Sequence, residues 1–169
     1  MNLETVKTLA AYNRWMNERL YECCARLPDA ARKQDMGAFF KSIHGTLNHL
    51  LLSDRVWLGR FTGKAFAVSS LAQELYADFD QLRAERAVTD ALISAWIASL
   101  NAKDLARDLV YTTIVNPQQR RTPLWFTLSH LFNHQTHHRG QLTTLLFQQG
   151  IDPGVTDLLA LPPDRGGLL

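Results

Sequence analysis

The sequence predicts an all-α fold: a four-helix bundle with an irregular crossover before its last helix. Four long stretches repeat apolar residues at three- and four-residue intervals, the spacing of one helical face. Pro28-Asp29, the Gly63 to Ser70 segment, Asn116-Pro117 and Gly150 punctuate them. A single short stretch, Leu109 to Val115, is rich in β-branched and aromatic residues.

The first helix is expected over residues 3–27, where Leu9, Tyr12, Met16, Leu20, Cys23 and Leu27 form one stripe and Pro28-Asp29 stops it. The second is expected from a cap near Asp35 to about Arg60, burying Phe39, Phe40, Ile43, Leu47, Leu50, Leu51 and Trp57. A loop from Phe61 to Ser70 follows. Ser69 or Ser70 then caps a third helix, with Glu74 as its capping-box partner, running to Asn101 with a kink or short break near Val88-Thr89. Residues 105–122 read as an irregular crossover or a small hairpin, because an isolated strand pair is only marginally stable. The fourth helix is expected from Pro123 to Gln149, with proline in its first turn and Gly150 just past its end. Residues 151–169, with three prolines and three glycines, read as an irregular tail over the bundle.

A chain of 169 residues suits one domain with a substantial core. Its net charge of +2 comes from scattered lysines and arginines with no basic stripe, which argues against a nucleic-acid partner and against an acidic membrane surface. No stretch is long and uncharged enough for a membrane helix. The N-terminus lacks a signal-peptide pattern, since Glu4, Lys7, Arg14 and Glu18 interrupt its apolar positions. Cys23 and Cys24 are adjacent and frame no disulfide scaffold, so a cytoplasmic setting with reduced thiols is expected, with packing rather than catalysis as their role.

Four of the six histidines, His130, His134, His137 and His138, lie on the fourth helix. Residues four apart point the same way, so His134 and His138 can share one metal ion. On an ideal wheel His138 falls about 40° and His134 about 80° from the apolar centre, against about 120° and 140° for His130 and His137. The latter two are therefore placed at the margin or in solvent. On the second helix, His44 and His49 diverge by about 140° and cannot serve one site together. His49 shares its lane with Ser42, Thr46 and Ser53, whose short side chains leave room beside an imidazole, whereas His44 lies near Lys41 and Asn48 and reads as exposed. His49, His134 and His138 are the candidate metal ligands. Gln141, Asn133 and Asn48 are candidate acceptors for their other ring nitrogens. Gln135 follows His134 where a zinc protease would carry a glutamate, so the protease pattern is absent. A solvated polar stripe or satisfied core histidines would leave the same spacing.

Tyr12-Asn-Arg-Trp-Met-Asn-Glu-Arg-Leu20, His44-Gly-Thr-Leu-Asn-His49 with Asp54-Arg-Val-Trp57, and Asn133-His-Gln-Thr-His-His-Arg-Gly-Gln141 together resemble the DinB family, within the DinB/YfiT-like metalloenzymes. The resemblance spans nearly the whole chain. It implies an up-down-down-up four-helix bundle, often a homodimer, with a metal triad at His49, His134 and His138. It also implies a divalent metal and, by analogy with thiol-dependent S-transferases, a low-molecular-weight thiol activated for attack on an electrophilic small-molecule substrate. Three imidazoles suit zinc or nickel, and also iron or copper. Metal-assisted hydrolysis, a non-catalytic metal or small-ligand binding bundle, and a purely structural bundle are the alternatives. Arg139 is assigned a structural role ahead of one in holding an acidic substrate.

Overall fold

The computed structural model describes residues 1–167, so Leu168 and Leu169 at the end of the expected tail lie outside the described residues. Its elements are α1 (Leu3–Ala25), a short α2 (Asp29–Lys33), α3 (Ile43–Thr62), α4 (Phe79–Ala98), β1 (Asp108–Thr112), β2 (Gln119–Pro123) and α5 (Leu124–Gln148). Single 3-10 turns occupy Asp104–Ala106, Leu158–Ala160 and Pro163–Arg165.

Two apolar clusters fix how the four long helices run. One gathers the end of α1 (Leu20, Cys24), the start of α3 (Ile43, Leu47), the start of α4 (Phe79, Leu82) and the end of α5 (Leu142, Leu146). The other gathers the start of α1 (Val6, Ala10), the ends of α3 (Trp57, Phe61) and α4 (Ile93, Ile97), and the start of α5 (Leu124, Leu128). Helices α1 and α5 are therefore parallel to each other and antiparallel to α3 and α4, which is the up-down-down-up arrangement. Each cluster closes one half of the bundle by removing leucine, isoleucine and aromatic side chains from water, worth about 1.5–3 kcal/mol per large side chain.

The helix boundaries differ from expectation at two starts. The second long helix begins at Ile43, not near Asp35. Gly37 and Lys41 take left-handed φ of 72° and 66°. The chain turns tightly there, with the Met36 amide donating to the Lys41 carbonyl at 2.8 Å, and Ser42 Oγ then caps α3 by accepting from the Gly45 amide. Phe39, expected in the core, is 83% exposed. The third long helix begins at Phe79 instead of after Ser69 or Ser70, because Asp78 is its cap and accepts from the Gln81 amide at 2.8 Å. Glu74 makes no capping box: the Ser69 amide and hydroxyl both donate to Gln73 Oε1. Helix α4 passes through Val88-Thr89 unbroken.

The crossover is a hairpin, with β1 and β2 antiparallel and Asp108 opposite Pro123. It is not isolated: Tyr111 packs on Trp57 of α3, and the Leu124 amide donates to the Arg107 carbonyl. Helix α5 ends in a Schellman turn. Gly150 takes a φ of 73°, its amide donates to Phe147, and the Ile151 amide donates to Leu146. No helix among the described residues is long and apolar enough to cross a membrane.

Candidate metal centre

The long helices α3 and α5 pack against each other along the stretch that carries the histidines. His134 and His138 lie one turn apart on α5, and His49 faces them from the second turn of α3. The three Nε2 atoms converge: His134 Nε2 is 3.2 Å from that of His49 and 3.1 Å from that of His138. All three candidate ligand atoms lie within 4.8 Å of one another. Nitrogens held about 2.0–2.1 Å from a tetrahedral zinc would sit about 3.3–3.4 Å apart, so the two spacings around His134 suit an ion of that size.

For His49 and His138 the far side of the ring tells which nitrogen carries the proton. His49 Nδ1 donates to the Leu71 carbonyl at 2.9 Å, and a carbonyl can only accept. His138 Nδ1 donates to Gln141 Oε1 at 2.8 Å, and Ser53 Oγ lies 3.4 Å from His134 Nδ1. With protons on Nδ1, the Nε2 lone pairs of His49 and His138 face inward together with the His134 ring. Such a convergence of lone pairs is repulsive by itself and favourable around a cation, so the donor set fits a divalent metal.

Burial keeps these imidazoles neutral, the form that binds metal. It pushes His49 down to about 4, opposed by the hydrogen bond to Leu71 and assisted by His138. His134 falls to about 3, through burial and then its histidine neighbours. His138 is lowered by burial, with Gln141 opposing.

Sequence reasoning named only part of the surroundings. Gln141 is beside His138 as expected, and its amide Nε2 also reaches the exposed His137. Asn48 holds no candidate ligand. It is a clamp: Oδ1 accepts from the Leu75 and Tyr76 amides, and Nδ2 donates to the His44 and Tyr76 carbonyls. Asn133 is exposed. His44, expected to be exposed, is 1% accessible and bonds to the Tyr76 carbonyl at 2.9 Å, because the segment between α3 and α4 folds back over it. His130 lies at the rim, its ring centroid 5.8 Å from that of His134 and 5.1 Å from that of Trp57.

Phe40 is a further neighbour. It stacks on His49 with centroids 3.8 Å apart and meets His138 edge-on at 5.4 Å. Gly45 permits this, since a Cβ there would stand 2.2 Å from the Phe40 carbonyl oxygen. Beneath the histidines runs a buried polar network. Arg86 pairs with Asp54 and Asp90, both at 2.8 Å, Asn17 donates to Asp90, and Gln135 donates to Asp54 and to the Leu50 carbonyl. Arg139 is structural but buried, donating to Asn13 and lying over the Tyr12 ring.

A cavity of about 440 Å³ opens beside the centre, reaching His49 and His134 and extending past Trp57 toward the hairpin.

Fold and site together define a four-helix bundle with a three-histidine cluster that could hold a metal ion. Comparison with known proteins places it further. A family model described as the DinB family matches residues 1–164, and the chain belongs to that family. It is 30% identical over 155 residues to protein DinB of Bacillus subtilis (strain 168), covering 88% of each chain. It also resembles the crystal structure of a DinB-like protein from Bacillus cereus ATCC 10987, with a TM-score of 0.57 and 24% identity over 83% of this chain and 90% of that one. At that identity the likeness supports the fold alone.

Proposed function

We propose that the chain is a metal-dependent enzyme in which His49, His134 and His138 hold a divalent ion and a low-molecular-weight thiol is activated for S-transfer to an electrophile. The observation that carries this reading is the convergence of three Nε2 atoms beside a cavity of about 440 Å³. Three protein ligands leave positions open, as a catalytic site requires and a closed structural site does not. An all-imidazole set suits zinc or nickel first, then iron or copper. When bound, such an ion supplies positive charge that favours thiolate over thiol.

The remaining work falls to the chain's own residues. The Leu71 carbonyl and Gln141 hold His49 and His138 in one tautomer and orientation. Phe40 covers one face of His49 and keeps water from that side. Val56, Trp57 and Leu71 give the cavity an apolar wall against which an electrophile is oriented. His130, whose pKa is lowered by burial, is neutral and placed at the rim to accept the thiol proton. The sulfur electron pair forms the new S–C bond, and the displaced group leaves with the pair of the bond it loses.

A cavity beside the cluster favours this reading over a bundle that only holds a metal ion, for which no substrate-sized space is needed. The same proposal has the chain pair with a second copy of itself and work in the reducing cytoplasm, where the unbridged Cys23 and Cys24 stay free.

Elemental analysis of wild type beside His49→Ala tests the site, and turnover of an electrophile panel with added thiols tests the activity. Stoichiometric metal in the wild type, lost in the variant, with metal-dependent thiol consumption, is expected. Equal metal in both overturns the ligand set, and a fully metalled protein inert toward every thiol and electrophile overturns the enzyme.

A further inference from the structure

The far end of the cavity holds a cation without a carboxylate. Arg60, in the last turn of α3, lines the same space as His49 and His134. Its Cζ lies 4.5 Å from the centre of the Trp57 ring and 4.7 Å from that of Tyr111, so two aromatic faces hold the guanidinium. Its Nη2 donates to the Thr112 carbonyl at 2.9 Å, which uses one of five N–H donors. Among the described residues no Asp or Glu pairs with it, whereas Arg55, Arg86 and Arg165 each hold a carboxylate. Burial lowers its pKa, yet a guanidinium stays charged at neutral pH. A half-desolvated, oriented cation in an apolar pocket is a ready partner for a planar anion, because the fork of N–H donors matches a carboxylate.

We infer that Arg60 is a specificity-determining residue that binds the carboxylate of a flat, unsaturated or aromatic acid whose other end reaches His49 and His134. The inference rests on the reading that substrate sits in this cavity, and it names the class of that substrate. The dimensions agree. Ser53 and Arg60 both line the space and stand seven residues apart on one helix, about 10 Å at 1.5 Å per residue. That span suits a single-ring acid with a short unsaturated arm. Val56 and Trp57 line the wall between these two ends.

Arg60 also ties α3 to the hairpin, so the test separates charge recognition from support. Binding of trans-cinnamate and of its neutral isostere cinnamamide is measured by ligand-observed NMR on wild type, Arg60→Gln and Arg60→Lys. Each protein is assayed both metal-loaded and chelator-treated, with metal content determined in parallel. Wild type is expected to prefer the acid by about tenfold, the scale of one charge-assisted hydrogen bond. Arg60→Gln loses the preference while its affinity for the amide stays within about threefold. Arg60→Lys keeps part of the preference.

Equal loss of acid and amide in Arg60→Gln means that the residue only supports the wall, and overturns the inference. So does an acid preference that survives Arg60→Gln but vanishes on chelation, which would put the carboxylate at the imidazoles. Failure of wild type to prefer the acid overturns it outright. A protein that takes up no metal yet keeps an Arg60-dependent preference sinks the proposed function and leaves this inference standing.

Discussion

Replacing Gly45 by alanine tests the link between backbone packing and the metal centre. Alanine is the better helix former, by up to about 1 kcal/mol in a helix interior, so a reading from propensity alone expects stabilisation. The structure reverses that sign. The new Cβ would stand 2.2 Å from the Phe40 carbonyl oxygen and 3.3 Å from both its carbonyl carbon and Ser42 Oγ. The backbone of the 36–42 turn must retreat by about 1 Å to reach ordinary contact distance. Overpacking of this kind costs about 1–3 kcal/mol, and loosening the Ser42 cap adds up to about 1 kcal/mol. Set against the propensity gain, Gly45→Ala should be destabilised by about 1–2 kcal/mol, or about 2–8 °C in Tm for a chain of this size. Gly140→Ala is the matched control: it also lies within a helix, but a Cβ there meets nothing within 4 Å, so it should gain up to about 1 kcal/mol. Urea and thermal denaturation of both variants with chelator present provide the measurement. The reasoning fails if the two substitutions shift stability in the same direction.

Three further outcomes are expected. His134→Ala should abolish metal retention on gel filtration while keeping the helical circular dichroism of the wild type, since its ring fills no apolar core position. Arg86→Met should cost about 3–5 kcal/mol and more than Asp54→Asn, because Arg86 offsets two buried carboxylates and Asp54 only part of one cation; equal costs in urea titrations would contradict this. The share of the metal-free protein's stability that depends on His49 and His134 should fall as pH drops from about 6.5 toward 4, against an opposite contribution from Asp54, which burial raises to about 6. His49 and His134 are pushed down to about 4 and about 3, so over that window the unfolded chain binds protons that the folded chain refuses. A His49→Ala, His134→Ala double variant whose stability slopes as steeply over the same window would show that other groups cause it.

The helical period made the four long helices legible, because each buries one stripe against two neighbours. Their starts were less legible because several residues compete for the capping role. Ser69, Ser70 and Asp78 are all good caps, and only the packing of Phe79 and Leu82 into the core selects Asp78. Phe39 and Phe40 continued the apolar stripe of α3 backward, but Ser42 and the left-handed Lys41 end that helix first. Phe40 then packs onto His49 from a turn, a contact for which no periodicity codes. At the site, the i, i+4 spacing of His134 and His138 and the short side chains around His49 pointed to the three residues that cluster. The Leu71 carbonyl was not legible, since a backbone acceptor carries no residue-type signal.

What holds α3 and α5 in register beside the histidines is directional rather than apolar. Leucines on facing helices can slide past one another by a fraction of a turn with modest loss, because dispersion is not directional. The two spacings around His134 Nε2, within a few tenths of an ångström of those expected around a metal ion, tolerate no such slip. Gln135, the residue after His134, donates from α5 to the Leu50 carbonyl, the residue after His49, and to Asp54, the residue after Ser53. Each bond therefore fixes a neighbour of a side chain at the centre. Asp54 is in turn held by Arg86 of α4, and Arg86 by Asp90, which accepts from Asn17 of α1. All four long helices are thereby referenced to one buried polar chain. A bundle of leucines would be as stable, since buried ion pairs add little net stability over well-packed apolar residues. The polar chain supplies one permitted alignment, which is what a site split between α3 and α5 needs.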